Sequence, residues 1–511
     1  MKKTYIDTAM ERIAPDLILK GGNVVDVFSG RVIKADVIIK DGIICGVGSY
    51  SGENEQDVSG KYIMPGFIDS HVHIESSMTQ PSEYAKAVMP HGITTVIADP
   101  HEITNVCGED GLEFMLKSAK NIPLDVNLML PSCVPATPFE HTGANLDAKT
   151  TQKLAPKFFG IGEMMNYPGI VSGDDETLGK LCLDIIDGHA PLLSGHELDA
   201  YTSAGIKTDH ECSVVEEMTE KISKGMYILL REGTLSLDVA KLIKGVTPYT
   251  LRRCAFCTDD RFVGEIIRDG SIDHCIRKAV SLGLNNIDAI IMATLNACEM
   301  YGMKNKGAIA PSYVADIVVA DDLNLSSISQ VYKNGKLVCE NGTALFECET
   351  VDNSKVTNTV HLPKISADFF KTDVKDKFDA IELIPESIIT KKVTVSYSDS
   401  LSKVCVIERH HNLGTKGIGF VTNYGITNGA IATSIGHDSH NVIVIGDNDS
   451  DMALAVNTLG TSGGIAVCSE GKVIASMTLD IAGLMSVKSA DEVTREHDNL
   501  YSAAKVLNIT D

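Results

Sequence analysis

Nowhere in its 511 residues does this chain carry a run of about eighteen apolar residues, so no membrane-spanning helix is expected. The opening MKKTYIDTAMERIAPDL has two lysines but no apolar stretch behind them; no secretory leader is expected, and a cytoplasmic protein is. Positive charge is scarce as well. Lysine and arginine number 45 against 68 aspartates and glutamates, a net charge of −23, whereas phosphate backbones and anionic lipid are bound by clustered cations. That balance argues against nucleic acid or membrane as a partner and leaves a small substrate without strong negative charge. A disulfide framework is equally unsupported: the thirteen cysteines are odd in number and lie in apolar segments such as Ile43-Ile44-Cys45, as free thiols in a reducing compartment do. Cys254 and Cys257 have the spacing of a redox or zinc pair, but no second pair accompanies them, and their place on a strand accounts for them. With 44% hydrophobic and 22% charged residues there is no signature of disorder.

At this length one hydrophobic core does not suffice, and two or three domains are expected. Residues 16–60 alternate apolar and polar positions between Gly, Asn and Asp turn signals, as short β-strands do. The same texture returns at ADIVVADD (315–322) and VYKNGKLVCENG (331–342), where Asn334-Gly335 is a hairpin signal. The economical arrangement is a small β-sandwich composed of residues 1–61 and 306–350, with residues 62–305 inserted as a domain of their own. That insert alternates amphipathic stretches with eight strand-like runs: YIMPGFIDSHVH, TTVIADP, DVNLMLPS, FFGIGEM, LCLDIIDGHA, AGIKTDHE, MYILLRE and AFCTDD. Eight strands with crossovers over this length match an α/β (β/α)8 TIM-like barrel. No GxGxxG follows the first strand, which disfavours an open doubly wound sheet. The tail, 355–511, reads as a C-terminal α+β domain, with GFVTNYG, GAIATSIG and NVIVIGD as strands and DMALAVNTLG and MTLDIAGLMS as helices.

In such a barrel the groups that do chemistry sit where strands end. Strand one ends in His71 and His73, which share a face because side chains alternate with period two. Strand four ends in Glu163, strand five in His189, strand six in His210, and strand eight in Asp259 and Asp260. Four imidazoles and two or more carboxylates in one mouth would be desolvated without compensation unless cations join them. A pair of divalent metals answers that need, and the mixed imidazole and carboxylate set suits Zn, Fe or Mn rather than Ca or Mg. Such a centre lowers the pKa of water toward neutrality and so makes a nucleophile.

The ordered motifs MPGFIDSHVHIESS, ADPHEI, IGEMMN, DGHAPLLSG, DHE and CTDDR, with SIGHDSHNVIVIG in the tail, resemble the amidohydrolase superfamily and, within it, the adenine deaminase family. The resemblance spans almost the whole chain. It implies a hydrolase in which a metal-activated hydroxide attacks C6 of adenine to give hypoxanthine and ammonia. By motif, His71 and His73 would bind one metal and His189 and His210 the other, with Glu163 bridging and Asp259 both a ligand and the acceptor of the water's proton. Manganese or iron is favoured over zinc. Glu163 stands where dihydroorotase-like relatives carry a carboxylated lysine, which counts against a cyclic-amide substrate; that reaction, or a different aminopurine, is the alternative.

Glu75, two residues past His73, is the candidate acid for the ring nitrogen. His101, Glu102, Asp260 and Glu232 are candidates for substrate contact or for support of the ligands, and Arg231 and Glu232 could equally form a salt bridge. In the tail, Glu408, His410, His411, His437, Asp438 and His440 resemble a ligand cluster, for which a structural or pocket-rim role is expected. A homo-oligomer is expected.

Overall fold

Eight short parallel strands make the centre of the molecule: β1 (Phe67–Val72), β2 (Ile93–Ala98), β3 (Asp125–Leu130), β4 (Gly160–Met164), β5 (Ile186–Gly188), β6 (Thr208–Asp209), β7 (Tyr227–Arg231) and β8 (Cys254–Cys257). The computed structural model describes residues 2–373, 376–384, 390–398 and 401–509. β1 to β5 pair in sequence order, as do β6 to β8, all in parallel. β8 meets β1 at a parallel bridge between Val72 and Asp259, where the Asp259 N–H donates to the His71 carbonyl at 3.0 Å and the His73 N–H to the Asp259 carbonyl at 3.1 Å. Between β5 and β6 the link runs through a side chain: the Gly188 N–H donates to Thr208 Oγ at 3.0 Å. β1, β2, β4 and β8 are buried at every residue, which is why they read as continuous apolar runs rather than alternating ones.

The apolar run from Tyr62 to His73 is two strands, not one. Tyr62–Pro65 pairs antiparallel with Ile317–Ala320, and only Phe67–Val72 enters the barrel. Both halves lie almost wholly in buried surroundings, so hydropathy shows no break where the chain passes from one sheet to the next.

Tyr62–Pro65 is the seam of a sheet drawn from both flanks. It lies between Leu17–Asp26 on one side and Ile317–Ala320 on the other, and hydrogen bonds join nine strands from the two flanks into one sheet. Alternate side chains pack on opposite faces, Leu19, Val37 and Ile39 in one cluster and Ile18, Ile38 and Cys45 in another. The Asn334-Gly335 turn joins Ile328–Lys333 to Lys336–Glu340 as a hairpin.

In the tail an eight-stranded sheet carries the helices Asp449–Thr458 and Ala490–Lys505. MTLDIAGLMS forms no helix. It begins in the strand Lys472–Thr478 and continues as a loop in which Ala482 (φ +58°) and Gly483 (φ +70°) are left-handed and Ile481 bridges Met485. Leu479, Ile481, Leu484 and Met485 are all buried, and a segment enclosed on every side need not be helical to bury its apolar residues. The helix that follows is marked by Ser489 and Glu492, which form a reciprocal capping box. All thirteen cysteines are free, and among the described residues no helix is long and apolar enough to cross a membrane.

Candidate active site

His71 and His73 leave β1 on one face and bring their Nε2 atoms to 3.1 Å from each other. The Nδ1 of His73 is 2.8 Å from the Asp99 carbonyl, which can only accept, so Nδ1 carries the proton and Nε2 presents its lone pair. Asp259 Oδ1 stands 3.1 Å from that lone pair and 3.5 Å from His71 Nε2. Glu163 reaches in from β4 with its two oxygens facing different groups. Oε1 is 3.5 Å from His73 Nε2 and 3.1 Å from His101 Nδ1; Oε2 is 2.6 Å from His189 Nδ1 and 3.2 Å from His210 Nε2. The His210 ring stacks on His71 with centroids 4.1 Å apart. All six of the residues expected to bind metal therefore meet at one end of the barrel.

Lone pairs and carboxylate oxygens crowded at such distances need cations between them. The groups His71, His73 and Glu163; Glu163, His189 and His210; and His71, His210 and Asp259 each offer three donor atoms within 4.8 Å of one another, with Glu163 shared by the first two. Nitrogen and oxygen donors without thiolate suit a first-row divalent metal. The electrostatics agree. Burial would raise the carboxyl pKa values of Glu163 and Asp259, yet neighbouring imidazoles hold both well below the usual range, with Arg231 adding to the effect at Asp259. Burial pulls the His71 imidazole down, but the nearby carboxylates of Asp187 and Asp259, at 3.7 Å and 3.5 Å, outweigh it and lift the pKa to about 10. The carboxylates thus draw positive charge into the cluster, and a metal supplies it as well as a proton does.

Buried neighbours hold the ligands in place. Asp99 accepts the Glu163 N–H at 2.9 Å through Oδ2. A Cβ on Gly162 would lie 2.0 Å from that same oxygen, so a residue without a side chain is required there. Asp259 itself sits at φ +58°, a left-handed conformation fixed by its two backbone bonds to β1. Its Oδ2 accepts from Arg231 at 2.9 Å, and Arg231 also binds Glu211 and Asp238. Asp187, at the end of β5, takes hydrogen bonds from Thr208 and Tyr301 and lies 3.7 Å from His71 Nδ1. Asp99, Asp187 and Glu211 lie inside the motifs ADPHEI, DGHAPLLSG and DHE, but the sequence reading gives them no role, because their importance depends on which strand lies beside them.

The cluster opens into a cavity of about 520 Å³, within the usual range for small-molecule sites. Glu75, His101, Glu102 and Asp260 all line it. Glu75 accepts the Ile103 N–H at 3.2 Å, and burial, then the charge of Glu102, push its carboxyl up to about 8. Ser76 Oγ bridges Glu102 and Asp260, at 2.9 Å and 2.5 Å. Glu232 is not brought to the cavity. Arg231 faces the site, and strand alternation turns its neighbour outward, where the Glu232 carboxylate pairs with Lys278. The tail histidines divide. His410 bonds the Ser439 carbonyl and His411 the Thr142 carbonyl, while Glu408 accepts three backbone N–H groups, so these three brace loops. His437 and Asp438 line the cavity itself.

The chain has counterparts among known proteins. A profile of the amidohydrolase family matches residues 62–338, and one of the adenine deaminase C-terminal domain matches residues 383–511. An adenine deaminase of Clostridium acetobutylicum is 46% identical over 99% of this chain and 91% of its own length. The chain belongs to the amidohydrolase family, in its adenine deaminase branch. A second member of that branch, from Nitratidesulfovibrio vulgaris, is 43% identical over 98% of this chain and 90% of its own. Among solved structures, an enamidase described as a member of the amidohydrolase superfamily is 19% identical, with a TM-score of 0.49 over 64% of this chain and 96% of its own. Membership of the family implies a divalent metal centre, and the residues at the barrel mouth have the donors to hold one.

Proposed function

We propose that this chain hydrolyses adenine to hypoxanthine and ammonia at the mouth of the barrel. One observation carries the reading: the six strand-end donors converge around Glu163 in a chain 43–46% identical to proteins named adenine deaminase. His71, His73 and Asp259 would hold one metal, His189 and His210 the other, and Glu163 both; manganese or iron is the expected pair. When bound, such a pair supplies Lewis-acid activation of water.

The protein's own groups do the rest. Asp259, kept ionised by its imidazole neighbours and Arg231, is the base that accepts the water's proton as oxygen adds to C6. Glu75, kept protonated by burial and by Glu102, donates to ring nitrogen N1. When the C6–N bond breaks, Asp259 passes its proton to the departing nitrogen, the C6 hydroxyl becomes the carbonyl by giving its proton back to Glu75, and ammonia leaves. The low polarity of the buried site strengthens each of these charge interactions.

The test is turnover by manganese- or iron-loaded protein, read as ammonia release from adenine, guanine, adenosine and cytosine and as ring opening of hydantoin. Release from adenine alone supports the reading. An inert adenine beside turnover of a cyclic amide or another aminopurine replaces it.

A further inference from the structure

The cavity that receives the substrate is not made by the barrel alone. Ile435, His437, Asp438 and Leu484 of the C-terminal domain form part of its wall. His437 Nε2 lies 3.5 Å from Glu102 Oε1, and donor atoms of His437, Asp438 and His101 lie within 4.8 Å of one another. His101 in turn stands 3.1 Å from Glu163. A single imidazole thus separates the tail's polar pair from the carboxylate at the centre of the metal cluster.

That pair has complementary chemistry: an imidazole offers a ring N–H, and a carboxylate only accepts. The five-membered ring of a purine presents the opposite set on its two nitrogens, one bare and one N–H, with a single carbon between them. We infer that His437 and Asp438 read this edge of adenine, His437 donating to the bare nitrogen and Asp438 accepting from the N–H. The inference rests on the reaction proposed above.

Arg409 places the pair. Its guanidinium is fully buried, and among the described residues it has no ion pair. It donates instead to carbonyls: those of His440 and Ser434, which bracket His437 and Asp438, and that of Ala482 at 2.9 Å, two residues before Leu484. A buried charge without a counter-ion is costly. Here it ties together the two loops that roof the cavity, and Arg409 is a positioning residue.

The test uses the full-length metal-loaded protein and four variants, with metal equivalents measured for each. Steady-state constants are obtained for adenine, and kcat/KM or inhibition constants for 7-deazaadenine, which lacks the bare nitrogen, and 9-methyladenine, which lacks the N–H. His437→Ala is expected to lower kcat/KM for adenine by about 10- to 100-fold while changing 7-deazaadenine less than about threefold, since a buried ring nitrogen of adenine loses its hydrogen-bond donor. Asp438→Ala, which removes the acceptor, is expected to narrow the preference for adenine over 9-methyladenine in the same way. His437→Gln, which keeps an N–H donor, is expected to restore most of the discrimination. Arg409→Lys is expected to raise KM about fivefold with kcat nearly unchanged. Unchanged analogue ratios in His437→Ala and Asp438→Ala, with metals retained, overturn the inference but not the adenine reading. Loss of metal in His437→Ala also overturns it, by making the residue part of the ligand support. Failure of the unmodified protein to release ammonia from adenine overturns the reaction itself.

Discussion

Glu163 can serve two groups of ligands only because Asp99 holds its backbone and Gly162 leaves Asp99 room. Gly162→Ala is therefore expected to displace Asp99 and tilt Glu163, with metal content falling below two equivalents by elemental analysis. Glu75→Gln is the opposite kind of change. It keeps size and burial but removes the donated proton, so two equivalents of metal should be retained while kcat falls about 10²- to 10⁴-fold. The meeting of His71, His73, Glu163, His189, His210 and Asp259 was legible in the sequence because each stands at the end of a strand-like run, and His71 and His73 additionally share a face. Glu232 was misplaced because a strand-end pair such as Arg231-Glu232 sends only one member inward, and which one depends on register. Asp259 and Asp260 escape that rule: the chain has left β8, and the left-handed turn at Asp259 lets both reach the cavity.

Secondary structure elements show the same division between local signals and tertiary ones. The helix Ala490–Lys505 starts at a capping box, and its first N–H groups are further tied to the barrel by Glu83, which accepts from Ala490 at 3.2 Å. Ser489→Ala is expected to destabilise the protein by about 1 kcal/mol, read from a denaturant midpoint. MTLDIAGLMS, by contrast, has helix-forming residues and becomes a loop because it is enclosed on all sides, which no local pattern records. A pH effect belongs to the helix Ile272–Ser281. Asp273 is buried, which would raise its pKa, but His91 and Arg277 bring it down to about 2. A depressed carboxyl stabilises the folded state fully above its unfolded pKa of about 3.9, and the benefit disappears as pH falls toward 2. The unmodified protein should thus lose about 2 kcal/mol relative to Asp273→Asn between pH 5 and pH 2, by unfolding measured at a series of acid pH values.

For the molecule as a whole, the barrel mouth concentrates unpaired donors that a metal joins only in the folded state. Chelation should therefore lower the unfolding temperature, by the linkage between binding and folding: about 2.7 kcal/mol at a hundredfold excess of free metal over its dissociation constant. Scanning calorimetry with and without chelator checks this, and restoring two equivalents should return the transition. Strand-like texture recurs on both sides of the insert, and strands of both flanks do share one sheet. A pocket-rim place for His437 and Asp438 was expected as well, but the barrel residue they meet was not legible, because they lie some 180 residues beyond Asp259 and only the folded chain brings them beside Glu102.

The sheet whose central strand Tyr62–Pro65 joins the two flanks has a consequence for synthesis on the ribosome. That strand emerges early, yet the neighbour it needs on one side, Ile317–Ala320, is translated only after the whole barrel. For that interval the nascent polypeptide exposes an open apolar edge of the kind that chaperones cover and that pairs with other chains when left free.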